Sequence, residues 1–356
     1  ITSISSFLLD GCYSLKKIEF LGDVTKIYES AFSECRNLTS IELPENLTDI
    51  YSHAFDSCES LETITLPPNI TKITYNMFES CSKLTAINFL GNITVIEQNA
   101  FRYCTSLPSF TIPDFFESIA DGTFSYCKSL KSITIPENVR TIGQSAFSSC
   151  SNITYIKIPE KVTVINDYAF GGCKSLEKIE ILGKIEVISA ELFSGCSSLV
   201  SVNIPDTVTT LKFIAFINCI SLTSITIPEN VTTIGEKVFS NCINLREVYY
   251  LGVSNPSRRN DIFMNTSVTE IIVTDKYTES YFCEIKVRLN SSTGATTETI
   301  ESEDDTTTNA LEDDTTTNEL DDDSTTTITN NLTTTTTSNQ QTTPTELPDF
   351  TDIITP

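Results

Sequence analysis

The stretch LKSITIPENVRTIGQSAFSSC, residues 130–150, decides how this chain is read. Ile133-Thr134-Ile135 alternates with period two, the pattern of a short strand with two β-branched side chains on one face. Pro136 ends that strand, because proline has no N–H to give to a central ladder. Val139 and Ile142 follow as a second apolar pair. Ala146, Phe147 and Cys150 then fall at the spacing of a short helical or 3₁₀ turn on the opposite side. One such unit has seven apolar slots and cannot bury them alone.

Working outward, the same unit recurs. Cys12, Cys35, Cys58, Cys81, Cys104, Cys127, Cys150, Cys173, Cys196, Cys219 and Cys242 each stand 23 residues from the next. Three residues before each is Phe, from Phe32 to Phe239, with Leu9 in the first unit; three residues after is Leu, with Ile153 the one exception. A fixed period of this length is the signature of stacked coils, in which neighbours bury what one coil cannot. Eleven coils at about 4.8 Å per strand predict a parallel sheet roughly 50 Å long.

The pattern LxxIxIPxxVxxIxxxAFxxC resembles the BspA-like class of leucine-rich repeats, and the resemblance spans 1–252. It implies an α/β-type repeat solenoid of 23-residue coils, with the parallel sheet on the concave face and short helical or 3₁₀ turns on the convex side. It also implies a surface protein of a bacterium or protozoan parasite that contacts host cells, matrix proteins or other microbes. Beyond 252, Ile262-Phe263, Val268, Ile271 and Val273 read as a twelfth, degraded coil with one residue deleted and Thr266 in the cysteine slot. The stretch through Tyr281-Phe282-Cys283 reads as a terminal cap, so 253–289 is expected to hold a degenerate repeat and cap. At the other end, Ile1 and Ile4 already occupy slots filled by Val24 and Ile27, which predicts a missing upstream segment.

Equivalent slots on stacked coils point the same way about 4.8 Å apart, whereas a disulfide wants Cβ atoms roughly 3.5–4.5 Å apart with converging vectors. The eleven cysteines are therefore expected to be a ladder of buried free thiols, each acting as a small hydrophobe. Cys283 lies outside the ladder and its state is open. There is no CxxC pair of the kind zinc sites use.

Of the 356 residues, 23 are Lys or Arg and 47 are Asp or Glu, a net charge of −24. Nucleic acid is excluded as a partner by the lack of clustered cations, and no apolar run reaches the roughly 18 residues of a membrane helix. Residues 290–356 hold 15 acidic residues, no Lys or Arg, and 24 Thr. This composition predicts a disordered Thr/Asp-rich stalk or linker, with a plain solubilising tail as the alternative. His53 is the single imidazole, in a slot that holds Ser30, Asn76 and Asn99 in neighbouring coils, and it is expected to face solvent. With no glycine-rich phosphate loop, no EF-hand and no second His, neither a catalytic set nor a cofactor or metal is expected.

Sequons stand at Asn37, Asn46, Asn69, Asn92, Asn152, Asn230, Asn265, Asn290 and Asn331. They read either as N-glycosylation sites of a secreted surface or as a by-product of the repeat, which places Asn, an apolar residue and Thr in order anyway. The expected concave face is largely Ser and Thr, with charge and aromatic variety in Lys16, Lys17 and Glu19, in Tyr155 and Lys157, and in Arg246, Glu247 and Tyr249. Such a face suits weak multivalent contacts with proteins or glycans; β-propensity alone would also select it. Off the sheet, Phe213, Ile214, Ile217, Ile220 and Ile243 fill slots that are polar elsewhere. They form either an exposed interface patch or a set tucked inward by local rotation.

The function expected from these features is non-catalytic recognition or adhesion at the cell surface or outside the cell. The alternative is an intracellular or structural scaffold that uses the same face for an endogenous protein.

Overall fold

The computed structural model describes residues 2–290; the Thr/Asp-rich stretch from 291 onward, with Asn331, lies outside the described residues. Each turn of the chain advances by one strand of a parallel ladder, and the register is 23 residues throughout the regular array. Thr63–Leu66 pairs with Ala86–Phe89 through Ile64↔Ile87, and Tyr155–Ile158 pairs with Lys178–Ile181 through Ile156↔Ile179. Along these strands burial alternates, with Ile64 and Leu66 inside and Thr63 and Thr65 outside. The period-two burial read from the unit holds, and at 133–135 Ile133 and Ile135 are inside and Thr134 outside, but those three residues form no ladder strand of their own.

The ladder is interrupted between Phe89 and Tyr155, where only Ser109 and Ser132 are bridged. Two residues explain the gap. Pro108 has no N–H to donate to the coil before it, and the Phe110 ring wedges against Phe101 and Phe124 with centroids 4.9 and 5.1 Å away.

A second parallel ladder, absent from the sequence reading, runs beside the first. It is built of two-residue strands such as Lys26–Ile27, Asp49–Ile50, Ser118–Ile119, Thr141–Ile142 and Val164–Ile165, again one coil apart. Ile142, read from sequence only as one of an apolar pair, is in fact a strand residue. Two residues are too few for alternation to be visible in a sequence.

The expected short helical or 3₁₀ turns are not what the chain forms: no described residue is helical. Along 145–150 the backbone N–H groups take partners alternately. Ala146, Ser148 and Cys150 donate to the carbonyls three residues back, whereas Ser145, Phe147 and Ser149 donate to Asp167, Ala169 and Gly171 of the next coil. A helix would keep all of these bonds within the segment. The alternation is possible because two residues per coil adopt left-handed backbone. In the first such slot are Ser30, His53, Asn76, Asn99, Ser145 and Tyr168, and in the second, four residues on, are Glu34, Ser57, Ser80, Tyr103, Tyr126 and Ser149, all with φ between 54° and 62°.

The core is a set of parallel rows. Eleven phenylalanine rings from Phe32 to Phe263 stack with centroids 5.2–6.1 Å apart. All twelve cysteines are free. They do more than fill space: the Sγ–H of Cys58, Cys81 and Cys104 donates to the carbonyls of Phe32, Phe55 and Phe78 at 3.1–3.2 Å, and the same bond recurs from Cys127 to Cys242. Cys35 donates in the same way to Leu9.

Phe263 stacks on Phe239, 24 residues earlier, while Ile272 pairs with Tyr249 at 23. The deletion beside Thr266 is thus offset by an extra residue upstream, and the register is restored before the strand Ile271–Val273. Beyond it Tyr281–Phe282 and Ile285–Leu289 form an antiparallel hairpin whose second strand pairs in parallel with Ile271–Val273. Phe282 and Cys283 are buried beneath it. In the first coil Leu9, Cys12 and Leu15 are only half-buried, unlike their fully buried counterparts in later coils.

Candidate functional site

The outward-facing side chains at the strand positions of successive coils form a strip, hydrogen-bonded as a ladder over only part of its length. Lys16, Lys17 and Glu19 are exposed on the first coil, and Arg246 and Glu247 near the far end. Tyr249, half-buried, donates its hydroxyl to Glu247 at 3.2 Å. Between these groups the strip is mainly Ser and Thr. Its centre is different. Tyr155 and Lys157 lie opposite Lys178 and Glu180 in register. The Tyr155 hydroxyl donates to Glu180 Oε2 at 2.7 Å, which holds the phenol above its usual pKa. Lys178 Nζ lies 6.0 Å from the Tyr155 ring centroid, and Lys157 Nζ is 3.6 Å from Glu137. Lys178 and Glu180 were missed in the sequence, where they stand 23 residues from Tyr155 and Lys157; adding one period to each of those positions finds them.

The five apolar residues of the turn side are divided. Phe213, Ile220 and Ile243 are 46%, 41% and 52% exposed, whereas Ile214 and Ile217 are half-buried. A ladder of amides separates the Ile217 row from the row of Ile220 and Ile243: Asn241 Nδ2 donates to Asn218 Oδ1 at 2.9 Å, and Asn265 Nδ2 to Asn241 Oδ1 at 2.8 Å. Ile214 occupies the first left-handed slot with φ 47°, a conformation that a β-branched side chain adopts only under strain. Replacing it with the Asn found at positions 76 and 99 is expected to raise stability by about 1 kcal/mol. Thermal unfolding measures this, and an unchanged or lower midpoint for Ile214→Asn would contradict the strain.

Asn37, Asn46, Asn69, Asn92, Asn152, Asn230, Asn265 and Asn290 are exposed. The amide nitrogen of Asn230 donates to the Asp206 carbonyl, and that of Asn265 is in the amide ladder. His53 does not face solvent freely as expected. Its left-handed backbone turns the ring against Tyr75, 5.3 Å away, and Nδ1 lies 3.1 Å from Asp56 Oδ2.

Burial raises the thiol pKa to about 12 at Cys35 and Cys173, and well above the usual value at Cys58, Cys81, Cys104, Cys150, Cys196 and Cys219. These thiols are the opposite of activated nucleophiles. Among the described residues no three His, Cys, Asp or Glu side chains come together in a way that could hold a metal, and no helix is long and apolar enough to cross a membrane.

Residues 2–130, 94–221 and 163–283 match the family model of the BspA type leucine rich repeat region. Among solved structures, a leucine rich cell surface protein of Faecalibacterium prausnitzii is 31% identical, with 70% of this chain and 76% of that one covered and a TM-score of 0.54. A leucine-rich repeat protein of Eubacterium ventriosum is 25% identical, covering 80% and 84% with a TM-score of 0.55. One from Bacteroides ovatus is 21% identical, covering 82% and 88% with a TM-score of 0.58. No curated protein matches. The repeating slots, the parallel ladders and the family match agree: this chain belongs to the BspA-type leucine-rich repeat family.

Proposed function

We propose that this chain is a non-catalytic recognition or adhesion protein that acts at the cell surface or outside the cell. It binds protein or glycan ligands of a host cell, a matrix or another microbe through the strand face. The supporting observation is the group formed by Tyr155, Lys157, Lys178 and Glu180. It combines an aromatic ring with both signs of charge on a rigid sheet otherwise lined by small hydroxyls, the composition of an interface anchor. The 31% identical neighbour described as a cell surface protein supports the placement.

Purified protein is expected to bind intact partner cells, and the double variant Tyr155→Ala, Lys178→Glu to bind about tenfold or more weakly with unchanged thermal unfolding. Equal binding by the double variant would move the ligand off this face. A second reading, an intracellular scaffold, is favoured by the twelve free thiols, since oxidising compartments promote disulfides. Antibody to the repeat region applied to unpermeabilised source cells separates the two: staining supports the surface reading, and staining only after permeabilisation supports the scaffold.

A further inference from the structure

We infer that a cavity on the turn side, between the coils of Cys104 and Cys173, is a binding site for one neutral sugar residue. The site is independent of the strand face. It exists because one row of side chains shrinks. From coil to coil that row reads Asp56, Glu79, Arg102, then Ser125, Ser148 and Gly171. Where the long side chains stop, a space of about 310 Å³ opens, at the small end of the usual range for ligand pockets.

Each wall has a structural cause. Arg102 closes one end, held by an ion pair with Glu79 at 3.2 Å. Tyr168 closes the other; its ring lies across Gly171, where any Cβ would stand 2.2 Å from the ring carbons. Asn99, Asp121 and Gln144 line one side. Gly122, at φ 62°, leaves the room that the Asn99 side chain takes. Tyr126 lines the cavity as well and is braced by Tyr103, stacked on it at 4.6 Å. The floor is the buried pair Ser125 and Ser148. Ser148 on that floor interacts with the Tyr168 phenol, whose pKa burial raises.

The lining selects the ligand. Arg102 is already paired with Glu79, and the Asp121 carboxylate, which accepts from the Gln144 N–H at 2.7 Å and from Gln98 Nε2 at 3.4 Å, is in no ion pair among the described residues, so an anion is disfavoured. The phenol rings of Tyr126 and Tyr168 in the lining supply apolar surface for the C–H groups of a ligand. The amides and the carboxylate accept and donate at one edge. A pyranose has this combination, with an apolar C–H face and vicinal hydroxyls around its rim.

The test is saturation-transfer difference NMR on the whole protein with free galactose, glucose, mannose and N-acetylglucosamine in turn. At least one sugar is expected to receive saturation on its ring protons, with a Kd of about 1–10 mM, as befits so small a contact. Ser148→Val, which fills the floor, and Tyr126→Ser, which removes a wall, should each weaken binding about tenfold or more. Tyr155→Ala on the strand face should leave it unchanged. No transfer to any of the four sugars, transfer that persists in both cavity variants, or displacement by inorganic phosphate would overturn the assignment. Thermal unfolding of each variant shows that the coil array is intact.

Discussion

Between pH 9 and pH 10.5 the folded array is expected to lose most of its stability, and the cause is the cysteine row. Nine ladder thiols, Cys35, Cys58, Cys81, Cys104, Cys127, Cys150, Cys173, Cys196 and Cys219, have pKa values raised by burial above the ordinary value of 9.0. The unfolded chain ionises first as pH rises, because its thiols are hydrated. The folded state then holds protons that the unfolded state has released. The contribution of each thiol is thus complete below about pH 9 and is lost as pH climbs toward the folded values, by about 1.4 kcal/mol per pH unit. Nine thiols together amount to roughly 10 kcal/mol at pH 10, against a typical domain stability of about 5–15 kcal/mol.

Urea midpoints under reducing conditions at pH 8, 9, 9.5 and 10 measure the effect. Lysines and tyrosines titrate mostly above about pH 10, so the fall between 9 and 10 belongs to the thiols. Replacing Cys81, Cys104 and Cys150 by Ala removes three of the nine and should lessen the slope by about a third. A midpoint that stays flat to pH 10 would show that the thiols are hydrated in the folded state. It would also contradict the bonds from Sγ to the phenylalanine carbonyls.

Removing twenty-three residues is expected to cost less stability than removing one. Excising 131–153 joins Leu130 to Thr154 and leaves every slot in register, with Phe124 brought next to Phe170 and Cys173 beneath the Phe124 carbonyl. The stack is then one coil shorter, and its remaining neighbours are of the same kind. Deleting Thr134 alone places Ile133 and Ile135 side by side, so one of two buried isoleucines must turn outward. Its exposure amounts to about 2–3 kcal/mol. Urea unfolding followed by far-ultraviolet circular dichroism compares the two. A coil excision more damaging than the single deletion would mean that the coils are not interchangeable.

The twelfth coil shows why such a deletion can be tolerated when it is paired. There the chain gains a residue before Phe263 and loses one beside Thr266, so the strand Ile271–Val273 still meets Tyr249 and Tyr250. The deletion was legible in the sequence, because Thr266 and Val268 stand two residues apart where Cys and Leu stand three. The compensating residue was not, since it shows only when Phe263 is seen stacked on Phe239.

The strand face was partly legible. Tyr155 and Lys157 break a run of Ser and Thr and so attract notice in one dimension. Their pairing with Lys178 and Glu180 depends on lateral stacking, which no local window contains. The turn side was read least well. Its slots look like a short helix because apolar residues fall three apart. Nothing in Ser145 or Ser149 announces a left-handed backbone, and Ile214 argues against one.

By itself the sequence determined the 23-residue coil, the core rows of Phe, Leu, Ile and Cys, and the outward alternation of the strands. Each of these is a pattern of burial, and burial repeats wherever the same slot meets the same neighbour. The tertiary structure alone decided the second ladder, the thiol-to-carbonyl bonds, the left-handed turns and the cavity above Ser148. These depend on which group one coil away receives a hydrogen bond or leaves a space, and that partner is fixed by stacking rather than by the residues on either side.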